Sequence, residues 1–278
     1  MVYITFDSTN RGRTGNQIFQ YLICKVIEIK IGHKYINYDE LCIQKVKKEE
    51  LFIFNDENME DLLMNKNNIW NTIKDKHLIG EGYFQKSEYF INLREQLLEI
   101  LYAKENNDFW IYDNKKVFIQ DFLFYENNYH FNNDDVVLSL RLDDFIQLPS
   151  ETSDILPPSF YVNILNKLTF KNLYIVCDVL RWDWEYRYLG FFKKWNPILI
   201  QGNVIHDASI MRDSKILLHS NSTLCWIMSF FSKTKINRYI PITYFYKGQS
   251  LQKICENDTI TEIKPLTHSE VFNIHCEQ

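Results

Sequence analysis

Val136-Val-Leu-Ser-Leu-Arg141, Leu173-Tyr-Ile-Val-Cys177, Pro197-Ile-Leu-Ile200 and Ile216-Leu-Leu218 are four short apolar runs, and what lies between them decides the fold. Helical spacing of apolar residues fills the gaps: Ser159–Leu168, a short stretch near Trp184–Leu189, Asp207–Asp213, and a run from Ser222 to about Phe231. A strand buried on both faces reads as a continuous apolar run, and strands that alternate with helices pair in parallel through crossovers. The pattern predicts a Rossmann-like half with parallel strands.

Upstream the rhythm is looser. Val2 to Phe6 reads as a strand that ends in a polar loop, Asp7 to Thr14. A helix should follow from Gly15 to about Ile31, because Ile18, Phe19, Leu22, Ile23, Val26 and Ile29 recur at three- and four-residue spacing. Lys34–Tyr38 reads as a strand and leads into a mixed region with helical stretches. Ser87 is the expected N-cap of a helix through about Tyr102. The polar run Asn132-Asn133-Asp134-Asp135 marks the expected boundary, giving an N-terminal α/β domain over 1–132 and a Rossmann-like domain over 133–278.

Composition narrows the function classes. The 278 residues carry a net charge of −5, so no wide basic stripe exists to displace counterions, and a general nucleic-acid binder is excluded. The clusters Lys45–Lys48 and Lys193-Lys194 read as solvated faces. Six cysteines include no C-x-x-C pair, and most lie in apolar runs that suit reduced buried thiols. No basic leader with a long apolar stretch opens the chain, and no segment approaches 18 apolar residues. The expectation is a cytoplasmic protein without a transmembrane segment; the glycosylation-type triplets at Asn221 and Asn257 then carry no weight.

Three strand-to-helix junctions hold the residues suited to chemistry. Gly12-Arg-Thr-Gly15-Asn16-Gln17 joins the first strand to the first helix, where glycines admit a close ligand and helix N–H groups face an anion. It lacks the Lys-Ser/Thr of a phosphate-binding loop and the G-x-G-x-x-G spacing, and taken alone such a turn is more often structural. Arg141 ends a buried strand, where parallel sheets bind ligands and a guanidinium can grip a phosphate bidentately. A pairing of Arg141 with Asp143 or Asp144 is the alternative. His219-Ser-Asn221-Ser222-Thr223 offers hydroxyls at a helix start, either as a phosphate cradle or as a simple N-cap by Asn221 or Ser222.

Taken together, GRTGNQIFQY (12–21), GYFQKSEYF (82–90), the Arg141 strand and HSNSTLCW (219–226) resemble the α-1,2-fucosyltransferase family in order and spacing, from Val2 to roughly Tyr246. That family has a GGLGNQMFQY-like start, a GYWQS-x-x-YF segment, an H-x-R-R-G-D strand end and an S-N-S-S-F-S-W helix start. The first motif is also similar to the GR-x-GNQ of protein O-fucosyltransferases. The resemblance implies a GT-B fold of two facing Rossmann-like domains. It further implies inverting transfer from a nucleotide-sugar donor, GDP-fucose foremost, to a glycan acceptor.

By the same resemblance, Arg141 would bind the donor's β-phosphate, with Asp144 at the motif's aspartate. Asp178 and Asp207 would lie toward the nucleoside. Asn221, Ser222 and Thr223 would form the phosphate-facing helix start. Gly15, Asn16 and Gln17 would face the cleft, and Arg141 and Asn16 would be the catalytic pair. Gln85 and Tyr89 belong to the matched segment without an assigned role. This chain departs from the pattern at Ser139, Leu142 and Asp143, which stand where the family has His, the second Arg and Gly.

No two aspartates stand two apart, so a metal on a D-x-D pair is not demanded and no cofactor is expected. Asp7, Glu81 and Asp143 are the candidates for a general base. Two alternatives stay open: the same fold with another nucleotide-sugar donor, and a non-catalytic relative that binds a sugar or nucleotide.

Overall fold

A computed structural model describes residues 2–6, 13–36, 46–112, 115–142, 154–243 and 253–274. The chain divides into two compact units, residues 1–124 and 125–278. Both are mixed α/β, and both main sheets are built of parallel strand pairs.

In the first unit, β1 (Tyr3–Phe6), β2 (Lys34–Tyr35), β3 (Leu51–Phe54) and β4 (His77–Gly80) form a sheet in the order β2-β1-β4-β3. Helix α1 (Thr14–Ile31) follows β1 and is buried along most of its length. Gly32 ends it with a left-handed φ of 77° and donates its N–H to Glu28 O, a conformation that costs any other residue more. After two short helices, α2 (Met59–Leu63) and α3 (Ile69–Ile73), the expected long helix from Ser87 is broken. Two 3₁₀ turns, Ser87–Tyr89 and Ile91–Leu93, precede α4 (Arg94–Leu101). Ser87 is therefore no N-cap: it is buried in the first turn, and Phe90 packs its ring at 5.5 Å from Phe19 of α1. The hairpin β5 (Phe109–Tyr112) and β6 (Lys115–Phe118) leads into α5 (Ile119–Phe124). Strands β3 and β4 lie in what reads from sequence as a mixed helical region.

In the second unit the strands are β7 (Asp135–Ser139), β8 (Asn172–Val176), β9 (Ile198–Ile200), β10 (Ile216–Leu218), β11 (Asn237–Ile242) and β12 (Thr259–Glu262). Their spatial order is β12-β11-β10-β7-β8-β9. Counted within the unit this is 6-5-4-1-2-3, the order of doubly wound nucleotide-binding sheets read from the other edge. Helices α6 (Pro158–Leu165), α7 (Asp183–Gly190), α8 (Val204–Asp213), α9 (Thr223–Phe231) and α10 (His268–Phe272) complete it. One face buries Val136, Leu138, Leu140, Leu173, Ile175, Ile216 and Leu218 against Phe160 and Tyr161 of α6, Trp184 and Tyr188 of α7, and Val271 of α10. The Tyr188 hydroxyl donates to Leu156 O at 2.6 Å, so that core carries no orphan phenol there.

On the opposite face sits an ion pair. Arg238 of β11, 2% exposed, donates to Asp258 at 3.1 Å and to Ser229 O of α9 at 2.8 Å. Asp258 also accepts the backbone N–H groups of Ile254 and Cys255 at 2.7 and 2.8 Å. One pair thus ties β11, α9 and the turn before β12. No helix among the described residues is long and apolar enough to cross a membrane.

Removing one partner leaves a buried charge uncompensated. Asp258→Ala should cost about 3–5 kcal/mol, read as a lowered urea midpoint, with Asp258→Asn milder because it keeps an acceptor. A midpoint equal to wild type in Asp258→Ala would show that the pair does not hold this edge of the sheet.

Candidate functional site

The chain winds one way from β7 to β9 and the other way from β10 to β12, so β7 and β10 flank the point where strand order reverses. In open parallel sheets the crevice at the carboxyl ends of those two strands is where ligands bind.

At the end of β7, period-two alternation sorts the side chains. Leu138, Leu140 and Leu142 go into the core, Leu142 only 3% exposed, and Arg141 takes the opposite direction. The Arg141 guanidinium, 21% exposed, lies 3.7 Å from an Asp178 carboxylate oxygen, too long for a hydrogen bond and short enough for charge pairing. Its pairing within the described residues is thus to Asp178. Asp143 and Asp144 lie outside the described residues, as do Gly12 and Asp7.

At the end of β10, Ser222 is the N-cap of α9 and accepts the Cys225 N–H at 3.4 Å. Thr223 opens the helix, so the helix dipole is aimed at the crevice. Asn221 accepts a hydrogen bond from the Thr243 hydroxyl at 3.2 Å, while its amide nitrogen is buried without a partner among the described residues. Ser139 and Ser220 bond hydroxyl to hydroxyl at 3.1 Å, linking the two strand ends, and both are about 5% exposed. Burial pushes the Cys225 thiol up to about 12, with the Ser139 hydroxyl pulling weakly the other way; it is no nucleophile.

The neighbouring strand ends are polar as well. Gln201, after β9, donates to Asp178 O at 2.9 Å. Asn203 caps α8 by accepting the N–H groups of Ile205 and His206. Asp207 accepts from Gly202 N–H at 3.0 Å and sits 3.1 Å from His206 Nδ1. Burial raises the Asp207 carboxyl above the usual range, against the pull of His206 and Gly202, and nearby Asp178 adds to the rise. A Cβ at Gly202 would meet Asp207 Oδ1 at 2.7 Å and run into His206 Nδ1, so a larger residue would displace those two side chains.

Gly15, Asn16 and Gln17 belong to the first unit. Gly15 is buried in the first turn of α1. Asn16 accepts a hydrogen bond from Gln85 at 2.6 Å, and Gln17, 2% exposed, accepts the Trp110 indole N–H at 2.8 Å. Gln20 donates to Gly82 O at 2.8 Å. The first and second sequence motifs thus meet each other, and that contact gives Gln85 its role. Arg141, Asp178, Asp207, Asn221, Ser222 and Thr223 come together along one sheet edge in the second unit. Gln201, Gly202 and Asn203 were not singled out from sequence, although a polar Gly turn between an apolar run and a helix was the available signal. Among the described residues no three His, Cys, Asp or Glu side chains are grouped to hold a metal ion.

His219, 1% exposed, follows β10 with Nε2 buried and without a hydrogen-bond partner among the described residues. Burial, reinforced by Arg238, pushes its pKa down to about 3. Its folded value lies below the unfolded one, so unfolding takes up a proton between about pH 6.5 and 3, and stability falls as pH falls through that window. The slope from this residue is at most about 1.4 kcal/mol per pH unit. Urea midpoints from pH 7.5 to 5 should fall more steeply in wild type than in His219→Gln; parallel profiles would refute a neutral buried imidazole.

No family model and no curated protein matches the chain. Among solved structures it is similar to aspartate transcarbamoylase from Trypanosoma cruzi in complex with phosphate, at 11% identity and a TM-score of 0.23, over 87% of this chain and 70% of that one. The same enzyme with carbamoyl phosphate gives 10% identity and a TM-score of 0.18, over 98% and 76%.

Proposed function

We propose that this chain is an inverting, metal-independent glycosyltransferase of GT-B architecture that moves a sugar, fucose foremost, from a GDP-sugar to a glycan hydroxyl. The observation that carries the reading is that Arg141, after β7, and the Ser222-capped start of α9, after β10, follow the two strands that flank the reversal point of a doubly wound sheet.

The chemistry asked of such a site is charge stabilisation. An acceptor oxygen attacks the anomeric carbon, the bond to the β-phosphate oxygen breaks, and GDP departs with the bonding electrons while the acceptor proton passes to a base or water. Negative charge grows on the β-phosphate. A permanently charged guanidinium and the positive end of a helix dipole meet that charge without reorganisation. Asp178, one strand over, suits a ribose hydroxyl, and Asp207 lies on the nucleoside side. The sequence resemblance supplies the donor.

One observation favours a second reading, a relative that takes another nucleotide sugar or binds without transfer. Ser139 and Leu142 stand where the family has His and a second Arg. Both are committed elsewhere, Ser139 to the Ser220 hydroxyl and Leu142 to the core.

Calorimetric titration of GDP, UDP and GDP-fucose without added metal separates the two. Selective binding of GDP and GDP-fucose is expected, with binding lost in Arg141→Ala and any transfer reduced at least about 10²–10³-fold, the typical effect of removing a group that meets developing charge. Turnover retained by Arg141→Ala would end the role given to it. Equal affinity for UDP, or binding with no transfer to any acceptor, would move the second reading ahead.

A further inference from the structure

The strand register places four residues in one row. Leu218, Leu138, Ile175 and Leu199 are aligned across β10, β7, β8 and β9. Three residues further along each chain stand Asn221, Arg141, Asp178 and Gly202. The row persists past the strand ends: Leu140 N–H bonds Val176 O at 2.8 Å, Cys177 N–H bonds Ile200 O at 3.1 Å, Arg141 faces Asp178, and Gln201 bonds Asp178 O. Strands lie about 4.8 Å apart, so the row runs about 14 Å. A nucleoside diphosphate held by its phosphates at Asn221 and Arg141 extends along it, with ribose at Asp178 and base beyond, toward Gly202.

The segment that follows Asp178 carries exposed apolar side chains. Val179, directly after Asp178, is 58% exposed, and Trp182 is 53% exposed. The backbone that carries Trp182 is fixed. Glu185, 1% exposed, accepts the N–H groups of both Arg181 and Trp182, the latter at 2.7 Å, and so holds the start of α7. Two residues on, Trp184 turns into the core. One tryptophan anchors the helix while the other presents its indole to solvent from an immobilised backbone. Trp182 is not among the residues that pack α7 on the core, and a half-exposed indole four residues past the ribose position is a ready π-face.

We propose that Trp182 is the stacking platform for the nucleobase of a nucleoside diphosphate bound along this row, with Val179 beside it. The inference rests on the nucleotide-binding reading above and adds the residue that carries base affinity. Stacking is separable from phosphate recognition, since Trp182 precedes α7 and is carried by a different segment from Arg141 and α9.

The test is calorimetric titration of wild type, Trp182→Ala, Trp182→Phe and Arg141→Ala with GDP, with inorganic pyrophosphate as the baseless probe. Trp182→Ala should weaken GDP roughly 5- to 150-fold, the range for one base–aromatic stack, and Trp182→Phe should recover most of it. Pyrophosphate should bind both Trp182 variants as it binds wild type, and their urea midpoints should match wild type because the side chain is exposed. Wild-type GDP affinity in Trp182→Ala, with loss in Arg141→Ala, overturns the platform and spares the nucleotide reading. An equal loss in the Ala and Phe variants, or a parallel loss of pyrophosphate, also overturns the platform. Absence of GDP binding in wild type overturns both.

Discussion

A parallel sheet covered on both faces can keep polar side chains only where its strands end, and that constraint organises the second unit. The interior positions of β7, β8 and β10 are apolar on both sides, with Val136, Val137, Leu138, Ile175, Leu217 and Leu218 fully or almost fully buried. Desolvating a polar group at such positions costs several kcal/mol unless it is bonded. The polar residues therefore collect at the carboxyl edge, and the reversal of winding between β7 and β10 opens that edge. Arg141, Asp178, Gln201, Asp207 and the start of α9 share one rim because the sheet allows them no other place.

The same constraint explains the polar groups that do enter the interior. Arg238 and Asp258 are buried as a pair with further backbone partners, so each charge meets several complementary groups. His219 takes the other route and stays neutral. Near it, Ser139, Ser220 and Cys225 satisfy one another across the strand ends, and Ser222 caps the helix. The crevice floor is thus a preformed network, and preorganised donors are what a site needs if it is to meet charge without rearranging.

Legibility in the sequence followed burial. Helix α1 and the β7–α9 alternation could be read because their apolar residues keep one period over many positions and are bounded by clear punctuation, Gly32 after α1 and Ser222 before α9. Strands β3 and β4 could not: Leu51–Phe54 is a four-residue apolar run and His77–Gly80 holds only Leu78 and Ile79, and runs that short have no period to distinguish strand from helix. Ser87 misled for a different reason. Its spacing suits a cap, but tertiary packing of Phe90 on Phe19 breaks the chain into 3₁₀ turns before α4 begins. At the site, residue types at strand ends pointed to Arg141 and Ser222, whereas the bonds of Gln17 to Trp110 and Asn16 to Gln85 span 93 and 69 residues. Contacts of that separation leave no local trace.

The departures from the fucosyltransferase pattern gain a physical meaning from this geometry. Leu142 is not a vacant arginine position at the rim; alternation along the strand sends its side chain into the same core as Leu138 and Leu140. A cation there would have to be buried unpaired or would force the strand end to twist, so restoring it is no simple reversion. Ser139 is likewise held beneath the rim by Ser220. Under the proposed function, the charge of a diphosphate would then fall on Arg141 and on the backbone N–H groups of α9. Arg141 already shares its field with Asp178, whose carboxylate opposes an incoming anion as much as it suits a ribose hydroxyl. A ligand that brings both a phosphate and a hydroxyl-bearing ring relieves that opposition, because the ring occupies the carboxylate while the phosphate takes the guanidinium. On the proposed reading, the 3.7 Å pair of guanidinium and carboxylate suits a ligand that carries both groups.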